Sequence, residues 1–547
     1  MNQFKFLKNH ARKYRKKLVI ALACLSFVSA SNLVYPWLFK LLIDHLTGEN
    51  KDTVVLNIPL ITGILTAVMI LSTVLGYFTN ILMQELGYRL RNDVRNEFFK
   101  SLLYKPLSFF KNEQVGGLTS RATEDIGKLQ GLFTGLVAPV FQNVLFIAGC
   151  LLLMLQLNQT ATGIVTVIIL SAIPVIYYFS KKVKMYSAKS QREHASANAI
   201  MDETLTGIRD VKAFVLETLR LKKYSSRSSA ALQEEMHSAR YQAKSTQSVF
   251  IIISLLLLLI FYFGVSGIST WSPGSAAAFY FYAYSLTMAF LTLGRAYGQY
   301  NSIAGATQRI AELIGVGDSY SRSLVQKSPV KIEGKIEFRN VSFGYSDEKL
   351  VLKNISFTVN NGEWFLITGP SGSGKSTIAN LLLGFYEPDS GDVLLDGIGL
   401  NEIDHDMLRS NIGYVGQEAV LFEGTIRENI LISGKQHGNT KLDEILKISL
   451  ADSFINELPQ GLDTNIAERG VTLSAGQRSR IAIARALVID PAILILDEAN
   501  SMLDEELETE LWKNLYEHRK NRTTIIFSHH TEAIPKVYKH LQISFNH

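Results

Sequence analysis

Gly369-Pro-Ser-Gly-Ser-Gly-Lys-Ser-Thr377 spaces glycines, a lysine and hydroxyls as G-x-x-x-x-G-K-[S/T], the pattern that wraps a backbone around phosphate. Gly369, Gly372 and Gly374 let main-chain N–H groups close on phosphate oxygens, with Pro370, Ser371 and Ser373 completing the turn. Lys375 supplies a point charge to the β- and γ-phosphates, the Ser376 hydroxyl is a ligand for Mg²⁺, and Thr377 closes the motif. The apolar run Trp364–Thr368 before it reads as a buried strand, and Ile378–Leu383 after it as a helix. That context adds a helix N-terminus aimed at negative charge. The chemistry is binding of a nucleoside triphosphate with Mg²⁺.

A second apolar run, Ala492–Leu496, ends in Asp497-Glu498. A strand that delivers an acid beside a phosphate loop places Asp497 near the metal. Glu498 then stands where it can orient or polarise an attacking water. Phosphate loop and acidic strand end together predict an α/β domain that hydrolyses the nucleotide it binds.

Leu473-Ser-Ala-Gly-Gln-Arg478 closely resembles the L-S-G-G-Q signature of ATP-binding cassette (ABC) proteins. The resemblance implies that Ser474, Gly476 and Gln477 reach the nucleotide held by a partner domain, from a helix N-terminus suited to phosphate. Further motifs of that family stand in the expected order. Tyr345 matches the aromatic that stacks on adenine. Gln417 matches the glutamine that senses Mg²⁺ and γ-phosphate and links to the membrane domain. Glu468-Arg-Gly470 resembles the exporter-specific loop, and Ser501-Met-Leu-Asp504 the loop that meets the opposite subunit. His529 matches the switch histidine. By the same resemblance, Glu498, His529 and Gln417 are the catalytic group, Ser376, Gln417 and Asp497 the metal group, and the nucleotide is ATP. Three features depart from the family pattern: Ala475 replaces the first glycine of the signature pair, His530 replaces a common arginine, and the sequence stops at His547.

The elements around this site divide the 547 residues into two unlike halves. Hydrophobic residues make up 47% and charged residues only 19%, and the apolar excess lies in residues 18–300. A bilayer span takes roughly 20 mostly apolar residues. Six stretches meet that length: Leu18–Ile43, Ile58–Leu82, Gly135–Leu157, Ala161–Phe179, Val249–Ser269 and Ala276–Leu293. The first is too long for a signal-peptide core and is read as retained. Short connections come after spans one, three and five. Long, Lys- and Arg-rich helical intervals, Met83–Thr134 and Lys181–Ser248, come after spans two and four. The positive-inside rule puts those intervals, the basic N-terminal flank and the C-terminal half in the cytoplasm. It also makes that flank a membrane-edge feature rather than a nucleic-acid site. The two cysteines, Cys24 and Cys150, lie within apolar spans and exclude a disulfide framework or zinc site.

The predicted architecture is a membrane α-helical domain (residues 1–315) with six long transmembrane helices extending into the cytoplasm, a linker (316–334), and an α/β P-loop ATPase domain (335–547). Gly117–Asp125, Leu205–Phe214 and Gln308–Leu313 resemble the two coupling loops and the end of the sixth helix in ABC exporters. One membrane half with one ATPase half implies a half-transporter that pairs with a second subunit, a homodimer being favoured and a heterodimer open. The implied activity is ATP-driven export or flipping of an amphipathic drug, lipid or peptide by alternating access. The setting is a bacterial inner membrane with both termini cytoplasmic. An uptake transporter of the siderophore type and a nucleotide-gated channel are the alternatives, and an intact Glu498 argues against the channel. Arg295 either meets an anionic substrate group or snorkels to the interface, and the aromatics Phe279–Tyr284 either line a cavity or anchor the helix at the interface.

Overall fold

The structure is a computed structural model that describes residues 6, 10–47, 58–113, 115–265, 271–315, 331–346, 349–432, 439–466, 472–499, 503–529, 534 and 539–543. Two compact units emerge. One comprises Met1–Tyr104 with Val115–Ser319, the other Lys105–Gln114 with Tyr320–His547.

The first unit is helical, and its long rods are α1 (Arg15–Leu46), α2 (Ile58–Leu103), a broken run from Val115 to Leu157, α7 (Gln159–Thr206), α9 (Glu217–Val265) and α10 (Pro273–Gly315). Among the described residues, five helices are long and apolar enough to cross a membrane. They carry spans one to four and six. Span five falls on the end of α9 and on residues 266–270, which lie outside the described residues. The rods continue well past the apolar stretches, α7 to Thr206 and α2 to Leu103, as the long helical intervals predict. α7 starts sharply because the Asn158 side chain accepts the Ala161 N–H at 2.9 Å, capping the helix.

The basic N-terminal flank, which runs into the first turn of α1, is tied down. Lys13 and Tyr14 both donate to Asp93, Lys17 donates to Glu85, and His10 pairs with Glu97. Glu85, Asp93 and Glu97 share one face of α2 at multiples of four residues, so one acidic stripe receives one basic segment.

The broken run consists of α4 (Val115–Ser120), a π-helical turn (Arg121–Asp125), α5 (Ile126–Leu129), a second π-turn (Leu132–Val137) and α6 (Ala138–Leu157). On α10 the aromatics divide. Phe279 and Tyr282 are buried against Phe146, Cys150 and Met154 of α6, and Tyr282 donates to the Leu33 carbonyl at 2.6 Å. Tyr280, Phe281 and Tyr284 stay exposed on the other face.

The second unit is α/β. Lys105–Gln114, which includes α3 (Leu107–Asn112), joins it. An antiparallel sheet orders β2 (Lys349–Val359), β1 (Ile336–Ser346), β4 (Ser390–Leu395) and β5 (Ile398–Gly399). A parallel sheet orders β11 (Lys539–Gln542), β3 (Trp364–Thr368), β10 (Thr523–Phe527), β9 (Ile493–Asp497) and β6 (Ile412–Val415). The central strands are nearly continuous apolar runs because both faces are covered. Leu366, Leu494 and Ile526 face one core with α16 (Ala475–Val488) and α17 (Glu505–His518). Phe365, Ile495 and Ile525 face the other, with α11 (Lys375–Leu382) and β1. The register aligns Ile367 with Phe527, Phe527 with Asp497 and Leu496 with Val415, so four strands end at one edge. Ligands bind at that carboxyl edge in open parallel sheets of this kind.

Candidate nucleotide site

The loop from β3 to α11 is shaped by glycine. Gly372 (φ +83°) and Gly374 (φ +100°) take left-handed conformations, and Gly374 caps α11. A Cβ on Gly369 would fall 2.4 Å from the Ile543 carbonyl oxygen, so no larger residue fits there. The Ser373 hydroxyl is buried with no hydrogen-bond partner, as a donor awaiting an oxyanion would be.

Lys375 is 6% exposed. Its Nζ donates to the Gly369 carbonyl at 2.7 Å and lies 3.0 Å from His529 Nε2 and 3.9 Å from Glu498 Oε1. Burial pushes the ammonium pKa down, and Glu498 and Asp497 pull it back up. A phosphate would replace these carbonyl contacts with full negative charge.

Asp497 ends β9, buried. Burial pushes its carboxyl above the ordinary range, opposed by a hydrogen bond from Ser376. Ser376 and Asp497 therefore meet, two hard oxygen donors beside the phosphate loop. Mg²⁺ is typically held by one or two carboxylates plus substrate phosphates and water, and this donor set fits it. Among the described residues no group of three or more His, Cys, Asp or Glu side chains is placed to hold a metal by itself.

Glu498 takes φ +52°, a left-handed conformation that costs a non-glycine residue about 1–2 kcal/mol. The backbone is held there by its N–H donating to the Phe527 carbonyl at 3.0 Å. Gln417, just beyond β6, donates to Glu498 Oε2 at 2.9 Å, and His529 Nε2 lies 2.9 Å from Oε1. The His529 Nε2 can donate to Glu498 or accept from Lys375, but not both at once. Strain of this kind, held by surrounding structure at a strand end, points to function.

Tyr345 is anchored through its hydroxyl, which shares a hydrogen bond with Thr377 at 3.3 Å and accepts from Asn380 at 3.1 Å. Phe343 and Tyr386 meet its ring edge-on, and Lys111 Nζ stands 3.9 Å from the ring centroid. The structure thus brings Tyr345, the phosphate loop, Gln417, Asp497, Glu498 and His529 together. It leaves the signature apart. Ser474 caps α16 in a reciprocal box with Gln477 (3.1 and 2.9 Å), and Gly476 is buried in its first turn. Among the described residues, no hydrogen bond or ion pair joins Ser474 or Gln477 to the phosphate-loop cluster. Asp504 caps α17. Glu468–Gly470, Ser501, Met502 and His530 lie outside the described residues.

Sequence reading missed Asn380, Tyr386 and Lys111 around Tyr345. It also missed Ser479, whose hydroxyl donates to the Ala499 carbonyl beside Glu498 and so ties the signature helix to the acidic strand end. Asn380 carried a usable signal, since it comes little more than one helical turn after the phosphate-loop lysine.

Residues 18–290 match the family described as the ABC transporter transmembrane region, and residues 352–501 match the one described as ABC transporter. This chain belongs to the ABC transporter family. It is 31% identical to the ATP-dependent lipid A-core flippase of Syntrophus aciditrophicus (strain SB), over 98% of this chain and 88% of that protein. It is 30% identical to the multidrug resistance ABC transporter ATP-binding and permease protein of Lactococcus lactis subsp. lactis (strain IL1403), covering 89% and 81% of the two chains. The solved structure of a bacterial Atm1-family ABC exporter with ATP bound superposes with a TM-score of 0.83 at 25% identity, covering 97% of this chain and 93% of that one. The ABC protein is therefore a multi-pass membrane transporter in which ATP binding and hydrolysis drive export.

Proposed function

We propose that two copies of this chain assemble so that the phosphate loop of each faces the signature of the other, and that ATP held between them closes the ATPase pair. One observation carries it: Lys375, Glu498, His529 and Gln417 converge at one sheet edge while, among the described residues, Ser474 and Gln477 make no hydrogen bond or ion pair to them. A site with every phosphate contact except the signature is half a site.

In this arrangement Tyr345 stacks adenine and the backbone of Gly369–Thr377, with Lys375, holds the phosphates. Ser376, Gln417 and Asp497 would hold Mg²⁺, which when bound neutralises charge on the β- and γ-phosphates. Glu498 orients the attacking water and accepts its proton, and His529 contacts the γ-phosphate. The partner copy supplies Ser474, Gly476 and Gln477. ATP can drive the helices outward only by binding the closed pair better than the open one.

The proposed cargo is an amphipathic or hydrophobic molecule. The exposed stripe Tyr280, Phe281, Tyr284 and Met288 on α10 supports this, as do the named cargoes of the lipid A-core flippase and multidrug relatives. The lysines after span four support a bacterial inner-membrane orientation with both termini cytoplasmic.

The test uses purified protein in proteoliposomes with nitrobenzoxadiazole-labelled phosphatidylethanolamine as probe. Glu498→Gln should lower ATP turnover by about 10²-fold or more, abolish ATP-driven probe flipping, and leave ATP binding intact. Near-normal turnover in that variant would remove Glu498 from the mechanism.

A further inference from the structure

A two-pronged ion pair inside the helical unit joins residues 184 apart. Arg309 on α10 donates Nε to Asp125 Oδ2 at 2.7 Å and Nη2 to Oδ1 at 2.6 Å, a two-pronged guanidinium–carboxylate fit. Asp125 is 6% exposed and ends the first π-turn. Lys128 is its second partner, at 3.0 Å.

The surroundings are built around this pair. Each π-turn of the broken helix meets α10. The first does so through Asp125, and the second through Gly135 and through Gly131 just before it, whose added Cβ atoms would approach the Gln299 side chain to 3.1 and 2.2 Å respectively. On the other side α2 grips the same segment, with Arg91 donating to Gln130 at 2.8 Å and Gly87 against the Gln130 carbonyl. π-Turns are rare and concentrate at functional positions, because an extra residue in a helix loosens one backbone bond and re-aims the turns beyond it.

Chain connectivity gives the pair its meaning. The polypeptide enters the ATPase unit by two routes. One is the segment Lys105–Gln114, which leads into α4 and the π-turn ending at Asp125. The other is the end of α10, which passes Arg309 and runs on to β1. We propose that the Asp125–Arg309 ion pair is the cross-tie that makes these two routes move as one, so that ATPase closure reaches the membrane helices. Asp125 and Arg309 are positioning residues, and neither is among the residues gathered at the nucleotide site. The proposal rests on the paired-ATPase reading above.

Removing Arg309 leaves Asp125 its bond to Lys128, so the carboxylate is not orphaned and the fold survives. The test places a nitroxide at Leu46→Cys, 69% exposed at the end of α1, in a Cys24→Ser, Cys150→Ala background. The inter-subunit label distance is measured by electron double resonance before and after ATP with vanadate, alongside ATP turnover and melting temperature. In Arg309→Gln and Asp125→Asn, turnover should stay within about threefold of the reference while the ATP-driven distance change falls by about half or more. The charge exchange Asp125→Arg with Arg309→Asp should restore the change, and Lys128→Gln should leave it intact. A full distance change in both single variants overturns the cross-tie. So does a joint fall of turnover, melting temperature and distance change that the exchange fails to rescue. A reference protein with no ATP-driven change would instead defeat the paired-ATPase reading, and the cross-tie with it.

Discussion

Asp497 and Glu498 are adjacent carboxylates held in opposite ways. Asp497 is buried and its pKa is raised by burial, whereas Glu498 sits partly exposed in a strained backbone with Gln417 and His529 on its oxygens. A folded-state pKa above the unfolded one means that the folded chain holds the proton more tightly. Stability then falls as pH rises from the unfolded value through the folded one, and that loss persists at neutral pH. Asp497→Asn imitates the protonated form. It should raise the melting temperature of the nucleotide-free protein at pH 7.5, lose that advantage below the ordinary carboxylate range, and abolish the stabilisation given by Mg²⁺ with ATP. Thermal melts with and without nucleotide check all three outcomes, and a lower nucleotide-free melting temperature would contradict the assignment.

At the scale of elements, Arg519 shows how the edge is kept in register. It closes α17, is 1% exposed, and donates to the Pro491 and Thr523 carbonyls and to the Thr524 hydroxyl. These acceptors lie at the entry of β9 and β10, the strands that deliver Asp497 and His529. Burial draws its pKa down to about 9. Arg519→Met should destabilise the ATPase unit by about 2–4 kcal/mol, because several buried acceptors lose their donor together. Denaturant melts of the variant measure this, and a change under about 0.5 kcal/mol would sink the bracket. Strands β3 and β9 were legible in the sequence because Trp364–Thr368 and Ala492–Leu496 are local apolar runs ending in chemistry. Spans one to four and six were legible for the same reason, since hydropathy over one window decides them. The π-turns at Arg121–Asp125 and Leu132–Val137 were not, because helix propensity does not register one extra residue per turn. Asp125–Arg309 and Ser479–Ala499 were hidden too: each pairs residues that ordinary surface positions would also carry, and only the fold brings them together.

For the whole molecule, membrane-crossing helices and a phosphate-binding sheet edge in one chain turn a nucleotide site into a motor. In the proposed assembly a second copy completes this motor: the signature is well formed as a helix cap yet, among the described residues, makes no polar link to the phosphate loop of its own chain. The most direct measurement is ATP turnover in purified mixed dimers of a Lys375→Ala chain and a Ser474→Arg chain, each carrying its own affinity tag. Each variant alone disables both composite sites. The mixed dimer keeps one intact site, made of Lys375 from one chain and Ser474 from the other. ATP turnover in the mixed dimer should stand well above that of either parent homodimer. Mixed dimers that form but hydrolyse no faster than their parents would contradict it.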